Sequence, residues 1–369
     1  MNKFLLFFIL FFTPFFALCQ CDGRYQDEIF TSVNTINDVN YSDVFSDNEH
    51  KMDIYIPDGD TATNRPLIIF IHGGSFYGGD KSQIDCQDFC RTFAKKGYVT
   101  ASVNYRLVSF INIASFLTNH DEQYEAVLKA TSDVKAAIRY FRKDVANGNN
   151  YGIDPNSIFV GGSSAGGVTA IHLAYIDNVS DLPTTPLDIQ AVVNNLGGLE
   201  GDAGNLGFSS QVNGVISFAG GINTLNWLDS NDEPLFSAQG TADQTVNYNC
   251  GPGLGQATVL TLCGTGEMHP QADAVGVINK SLIFQGEGHG WCSAGNISPL
   301  FTEAMDSTAS FLYPLLPCNN ISSITNIVSE KKLIKIVDLL GRETNIIHNV
   351  PLFHIYNDGS VEKRIHLSY

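Results

Sequence analysis

Ser157-Ile158-Phe159-Val160-Gly161-Gly162-Ser163-Ser164-Ala165-Gly166-Gly167-Val168 is the stretch on which the rest of this chain turns. An apolar run, Ile158 to Val160, breaks into glycines, and a small-residue helical run follows from Val168 to Tyr175. At the break, Gly162-x-Ser164-x-Gly166 has the spacing of a sharp strand-to-helix turn that projects a serine hydroxyl from the top of a sheet. Side chains two positions to either side of that serine would meet the neighbouring strand and helix, so glycine is needed there. The helix begins directly behind Ser164, and its free N–H groups and positive end face an oxyanion formed at Oγ. Three fixed positions in five are a weak signal alone, since an ordinary Gly/Ser loop has the same letters. The strand before, the helix after and two further segments give it weight.

Outward from this turn the chain alternates. Lys51 to Ile56 reads as a strand ending at Pro57. Pro66 to Ile71 is unbroken and apolar, as in a strand buried on both faces of a parallel sheet. Ser82 to Lys96 has helical spacing and Gly97 as its stop; Tyr98 to Tyr105 is the next strand. Apolar residues from Tyr124 to Phe141 recur at three and four, which predicts a long helix over about Glu122 to Val145. Beyond the Ser164 turn, residues 177–212 look like an insertion over the sheet without regular elements, and are expected to decide substrate choice. Val215 to Ala219, Leu235 to Gly240 and Ser281 to Phe284 are strands, with helices expected around Pro270 to Asn279 and Pro299 to Leu316. Such alternation predicts an α/β fold, a mostly parallel central sheet with helices on both faces.

A chain of 369 residues, 44% hydrophobic, is long enough for one large α/β domain with short appendages. Its formal charge of −17 argues against nucleic acid and against anionic membranes, whose binding needs clustered Lys and Arg. Met1 to about Gln20 reads as an export signal: Lys3, an apolar run from Phe4 to Phe16, then Ala17-Leu18-Cys19 at a cleavage spacing. That run is short for a membrane anchor, and a lipoprotein signal at Cys19 or Cys21 is the other alternative. Export makes the remaining cysteines candidates for disulfides. Removing Cys19 leaves an odd number, so one is expected free. Cys250 and Cys263, bracketing the Gly-rich Gly251 to Leu262, are the expected pair, and Cys21 and Cys318 could staple the ends of the main domain. There is no Cys-x-x-Cys and no close His/Cys cluster, so no metal site is expected. Expected boundaries are 1–20 for the signal, 21–318 for the main domain and 319–369 for a linker and small β unit.

Acyl transfer by a serine needs a base, an orienter for it and donors for the oxyanion. His289, in Gly286-Glu287-Gly288-His289-Gly290-Trp291 after the last strand, is the candidate base. Asp243, on the loop after Leu235 to Gly240, is the candidate orienter; Asp232 and Glu233 compete but precede that strand. His72-Gly73-Gly74-Ser75 follows a buried strand, and its glycines let backbone N–H groups approach a substrate. The candidate donors are the N–H groups of Gly74, Ser75 and Ala165. Phe76, Tyr77 and Trp291 adjoin these loops and are candidate pocket walls, although ordinary core packing would account for each.

Ser164, Asp243 and His289 in that chain order, with His72-Gly73-Gly74 upstream, resemble the α/β-hydrolase superfamily, in its carboxylesterase and lipase branch bearing an HGG-type oxyanion motif. Asp53-Ile54-Tyr55-Ile56-Pro57 and Val103-Asn104-Tyr105-Arg106-Leu107 are also similar to strands of those esterases. The resemblance covers roughly residues 50–316 and implies a cofactor-free serine hydrolase of carboxylic esters. Ser75 departs from it, standing where many relatives carry a third glycine. A serine peptidase of the same fold, or an inactive hydrolase fold used for binding, stays open beside the esterase.

After Cys318 the composition changes to a polar linker, Asn319 to Ser329, and then short alternating segments. Val337-Asp338-Leu339-Leu340-Gly341-Arg342-Glu343, with Tyr356-Asn357-Asp358-Gly359 and Lys363, is similar to the C-terminal sorting domain of the type IX secretion system of Bacteroidetes. The resemblance implies that the tail meets that machinery, that the protein is secreted or held at the cell surface, and that the tail is often removed. A carbohydrate-binding module is the alternative.

Overall fold

A computed structural model of the chain describes Cys21, residues 23–318 and, in the tail, residues 333–338, 342, 344, 346–356 and 361–365. Two compact units separate, one being Cys21–Leu316. The expected signal, the linker and the tail motif at Leu339 to Gly341, Glu343 and Asn357 to Gly359 lie outside the described residues.

The strongest apolar runs occupy the middle of the sheet in Cys21–Leu316. β3 (Arg65–Ile71) is buried along its whole length, which is why it shows no alternation. It lies between β4 (Val99–Val103) and β5 (Ile153–Ser163), parallel to both. With β1 (Val33–Asn40), β2 (Lys51–Pro57), β6 (Val215–Phe218), β7 (Leu235–Gly240) and β10 (Asn279–Phe284) the order is β1-β2-β4-β3-β5-β6-β7-β10. Only β1 and β2 run antiparallel to their neighbours. All other neighbours are parallel, so the loops after β3, β5, β7 and β10 open on one edge. That edge is where side chains from distant parts of a chain can converge.

Helices cover both faces. α1 (Ile84–Lys95) ends where Gly97 takes φ +106°. A short α2 (Ile113–Phe116) precedes the long α3 (His120–Ala146), whose N-cap Asn119 accepts the Asp121 N–H at 2.9 Å. Next come α4 (Ala165–Tyr175), α5 (Ile189–Asn195), α6 (Thr265–Val275) and α7 (Pro299–Leu312). α6 corrects the expectation of a helix from Pro270 to Asn279. Its start lies upstream, Pro270 sits inside it, Gly276 at φ +86° stops it, and Asn279 already belongs to β10.

Residues 177–212 differ from expectation as well, since they contain α5. Their glycine-rich part is tied by charge to α3 and its flank: Arg106 joins Asp202 at 2.6 Å and buried Asp133 at 2.8 Å, while Arg139 reaches Glu200 at 2.7 Å. Cys250 and Cys263 form a disulfide across the hairpin of β8 (Cys250–Pro252) and β9 (Thr261–Cys263). Cys21 and Cys318 are each disulfide-bonded, and three cysteines rather than one, Cys86, Cys90 and Cys292, are free thiols among the described residues. Among the described residues no helix is long and apolar enough to cross a membrane. In the tail, β11 (Leu333–Val337), β12 (Pro351–Tyr356) and β13 (Val361–Ile365) form a three-stranded antiparallel sheet.

Candidate active site

β5 stops at Ser163, α4 starts at Ala165, and Ser164 between them holds φ +53° and ψ −118°. A side chain resists that backbone region, at a cost of about 1–3 kcal/mol, so the surroundings must enforce it. They do so by close approach. A Cβ on Gly166 would lie 2.0 Å from the Ile71 carbonyl oxygen, and one on Gly162 would lie 2.5 Å from the Gly166 carbonyl carbon. The Ser164 N–H donates to the Phe218 carbonyl at 2.8 Å, which ties the turn to β6. Behind it, the Ser163 hydroxyl donates to the Asp85 carboxylate at 2.5 Å, and burial pushes the Asp85 carboxyl up.

His289 lies in the turn after β10, with Nε2 2.8 Å from Ser164 Oγ and Nδ1 2.8 Å from Asp243 Oδ2. A carboxylate only accepts, so Nδ1 carries the proton and Nε2 is left to accept from the serine hydroxyl. Asp243 follows β7, and its side chain is fully buried. Its Oδ1 accepts the N–H groups of Thr245 and Val246 at 2.9 and 3.0 Å, so the carboxylate is held on both oxygens. The loops carrying the two residues touch at Gly240, where a Cβ would fall 2.2 Å from the Glu287 carbonyl oxygen. Asp232 and Glu233 stand at the other end of β7, where burial raises both carboxyls to about 7. Asp232 takes the Asp229 N–H at 2.6 Å rather than a histidine. With Asp177 and Asp229 it makes the one gathering of metal-ligand residue types among the described residues, away from His289.

The loop after β3 comes up beside the serine. A Cβ on Gly73 would sit 3.2 Å from Ser164 Cβ and 3.1 Å from the Ser163 carbonyl oxygen. Gly74, Ser75 and Phe76 all have positive φ, at +122°, +55° and +66°. Ser75, the departure from a third glycine, thus occupies the left-handed region that glycine favours. Among the described residues no protein acceptor takes the N–H of Gly74 or Ser75. His72 stiffens the loop: its Nδ1–H donates to the Gly73 carbonyl at 2.7 Å, and its ring stacks on Tyr105 with centroids 4.4 Å apart.

A cleft of about 790 Å³, counted out to its open mouth, begins at Ser164, Ala165 and Ser75. Phe76 lines it, but the other two expected wall residues do not. Tyr77 is 36% exposed and meets Phe116 edge-on at 6.1 Å outside the cleft. Trp291 is buried core, packed between Phe218 at 5.4 Å and Phe284 at 4.9 Å. The 177–212 segment supplies Leu182 alone. The walls are instead Phe116 of α2, Val127 and Leu128 of α3, Trp227, and the Cys250–Cys263 hairpin with Leu254 and Leu260. Of these only the hairpin had a trace in the sequence, in the spacing of its two cysteines.

The BD-FAE family matches residues 52–257 of the chain. A para-nitrobenzyl esterase of Bacillus subtilis (strain 168) is 31% identical over 124 residues, which are 33% of this chain and 23% of that protein. Carboxylesterase 3B of Mus musculus is 34% identical over 123 residues, 33% of this chain and 20% of that protein. The chain thus spans less than a quarter of the length of these curated relatives. Among solved structures, a truncated form of a carbohydrate esterase from gut microbiota superposes with a TM-score of 0.56 at 20% identity, over 78% of this chain and 98% of that one. The propionate-bound esterase Est2 of the Planctomycetes species Thermogutta terrifontis superposes with a TM-score of 0.52 at 21% identity, over 77% and 95%. These likenesses and the sheet order show the α/β-hydrolase fold.

Proposed function

The chain belongs to the BD-FAE family, and from that premise we propose that it is an exported serine carboxylic-ester hydrolase working through an acyl-enzyme. One observation carries the proposal: Ser164, His289 and Asp243 form a continuous hydrogen-bonded series, 2.8 Å at each step, with the serine in a turn that exposes its hydroxyl. In the proposed mechanism His289 Nε2 takes the hydroxyl proton as Ser164 Oγ attacks the ester carbonyl. Asp243 holds the imidazole in its Nδ1–H form and stabilises the cation that develops. The N–H groups of Gly74, Ser75 and Ala165 receive the oxyanion, each donor contributing about 3 kcal/mol in the transition state. His289 then gives the proton to the departing alcohol, and water repeats the sequence to release the acid.

Export is the second half of the proposal. It is supported by the export-signal pattern of residues 1–20, by disulfide bonding at Cys21, Cys250, Cys263 and Cys318, and by the tail's similarity to type IX sorting domains. We take 21–318 as the catalytic domain, 319–369 as linker and sorting domain, and the secretion machinery as the tail's partner.

Hydrolysis of p-nitrophenyl acetate by the wild type and by Ser164→Ala tests the chemistry. The substitution should lower kcat about 10⁶-fold. A variant retaining a tenth or more of the wild-type rate would remove Ser164 from the mechanism.

A further inference from the structure

We propose that the cleft beside Ser164 is an acyl pocket for an unbranched, uncharged aliphatic chain of medium length, and that the disulfide-closed hairpin is the wall that sets that length. This rests on the esterase proposal above, since it needs an acyl group on Ser164.

The floor of the cleft is one face of α4. Ala165, Val168, His172 and the C-cap residue Ile176 recur at three and four positions, so they line up along the helix. At ~1.5 Å per residue they mark a track of roughly 16 Å leading away from the nucleophile. Phe116, Leu128 and Trp227 flank the track, and Leu254, Leu260 and Leu262 of the hairpin close it. Among the described residues no Lys, Arg, Asp or Glu lines the cleft, so none of them would pair with a charged acyl group.

Four polar side chains along the track, those of His172, Gln123, Tyr124 and Asn223, are already engaged with the protein. His172 donates from Nδ1 to the Val168 carbonyl at 2.7 Å and accepts the Asn223 N–H at Nε2, at 3.2 Å. Gln123 donates to the Phe116 and Thr258 carbonyls at 2.8 and 3.1 Å, and accepts the Leu260 N–H at 2.9 Å. Tyr124 donates to Asn223 Oδ1 at 2.8 Å, and Asn223 Nδ2 donates to the Thr261 carbonyl at 2.8 Å. A phenolic or sugar hydroxyl pushed down this track would lose its water and find the donors of Gln123, Tyr124 and His172 already committed. Each such group should lower kcat/KM about tenfold or more. A methylene loses nothing polar and gains burial.

The hairpin is anchored as a wall requires. Cys250 and Cys263 close it, Leu254 N–H bonds back to the Thr245 carbonyl at 2.8 Å, and Thr258 Oγ1 bonds to the Leu117 carbonyl at 2.8 Å. The hairpin therefore ties the segment just after Asp243 to the end of α2 and, through Gln123, to the first turn of α3.

The test is a series of p-nitrophenyl esters from acetyl to dodecanoyl, with methyl ferulate set against methyl hexanoate. Up to about hexanoyl, kcat/KM should rise about fourfold per carbon, the fold-change equivalent to ~0.8 kcal/mol per buried methylene. It should fall again once the track is full, and methyl ferulate should run at least about tenfold below methyl hexanoate. Leu260→Trp should lower the octanoyl-to-acetyl ratio at least tenfold, with Leu254→Trp as a second plug on the same wall should the first fail to fold. An acetyl optimum, a ferulate preference, or a ratio indifferent to both plugs would overturn the proposal. Calorimetric binding of octanoate against acetate to Ser164→Ala separates it from the esterase proposal. Tighter octanoate binding with no wild-type turnover of any ester would sink only the chemistry; equal binding would sink the pocket.

Discussion

Two glycine-rich segments, Gly197 to Gly207 and Gly251 to Gly264, look alike as strings of letters and end in opposite roles. The first is fastened to α3 through Arg106, Asp202, Arg139 and Glu200, and shows the cleft none of its side chains. The second is closed by one disulfide, and its leucines face the cleft next to Ser164. The difference lies in what each segment offers a neighbour. Glycine frees the backbone in both, but ion pairs spend the polar side chains of one on holding its place. The other keeps its apolar side chains available for a ligand. A loop that shapes a site is better recognised by what it leaves uncommitted than by its length.

If the hairpin is the reactive side of this comparison, damage at its root must be the most severe. Asp243→Asn should lower kcat about 10⁴-fold in steady-state ester hydrolysis, because the imidazole would lose the partner that selects its tautomer. A loss under tenfold would break the link between the hairpin's stem and the chemistry. On the other side, Arg106→Met takes the guanidinium from buried Asp133, leaving it His50 Nε2 at 3.3 Å as side-chain partner, and should lower unfolding free energy by about 3 kcal/mol in urea titrations, with the acyl-length profile unmoved. A changed profile would mean that the 197–207 segment does shape the cleft.

A comparable effect sharpens the contrast. Replacing Cys250 and Cys263 by serine frees a loop of sequence separation 13 and should lower unfolding free energy by about 3 kcal/mol. Unlike Arg106→Met, it should also flatten the acyl-length profile. The mildest test is pH. Burial holds the His172 imidazole down to about 4, so as pH falls from about 6.5 the unfolded chain binds a proton that the native protein refuses. Stability is lost across pH 6.5 to 4, by up to roughly 3 kcal/mol from this group. Asp232 and Glu233, raised to about 7, act in the opposite sense: their contribution is full at low pH and is lost as pH rises toward 7. Comparing wild type with His172→Gln cancels those carboxyls; equal slopes for the two proteins would show that the cleft imidazole is not held neutral.

Much of the fold was legible because its signals are local. Unbroken apolar runs at Leu67 to Ile71 and Ile158 to Val160 are buried on both faces, and only parallel strands in mid-sheet need that. Ser164 was legible because close backbone approach leaves glycine as the only neighbour at 162 and 166. Loop order after β7 and β10 pointed to Asp243 and His289 without any knowledge of distance. The cleft was not legible, because its walls come from α2, α3, Trp227 and the hairpin, which meet only after folding. Trp291 misled for the same reason: adjacency to His289 in the chain says nothing about which way a four-residue 3₁₀ turn aims the next ring. The 177–212 segment misled because an insertion with no visible regular element looks like a cover for the site, whereas Glu200 and Asp202 find their partners in Arg139 and Arg106 only after folding.

One further consequence follows from the backbone of residue 164. With φ at +53°, the position that carries the hydroxyl proposed to react is also one where the polypeptide would rest most easily as glycine, the residue with no hydroxyl to offer. Folding and reactivity therefore pull against each other at a single Cα. A descendant released from the need to react would be expected to surrender its serine first and gain robustness by doing so.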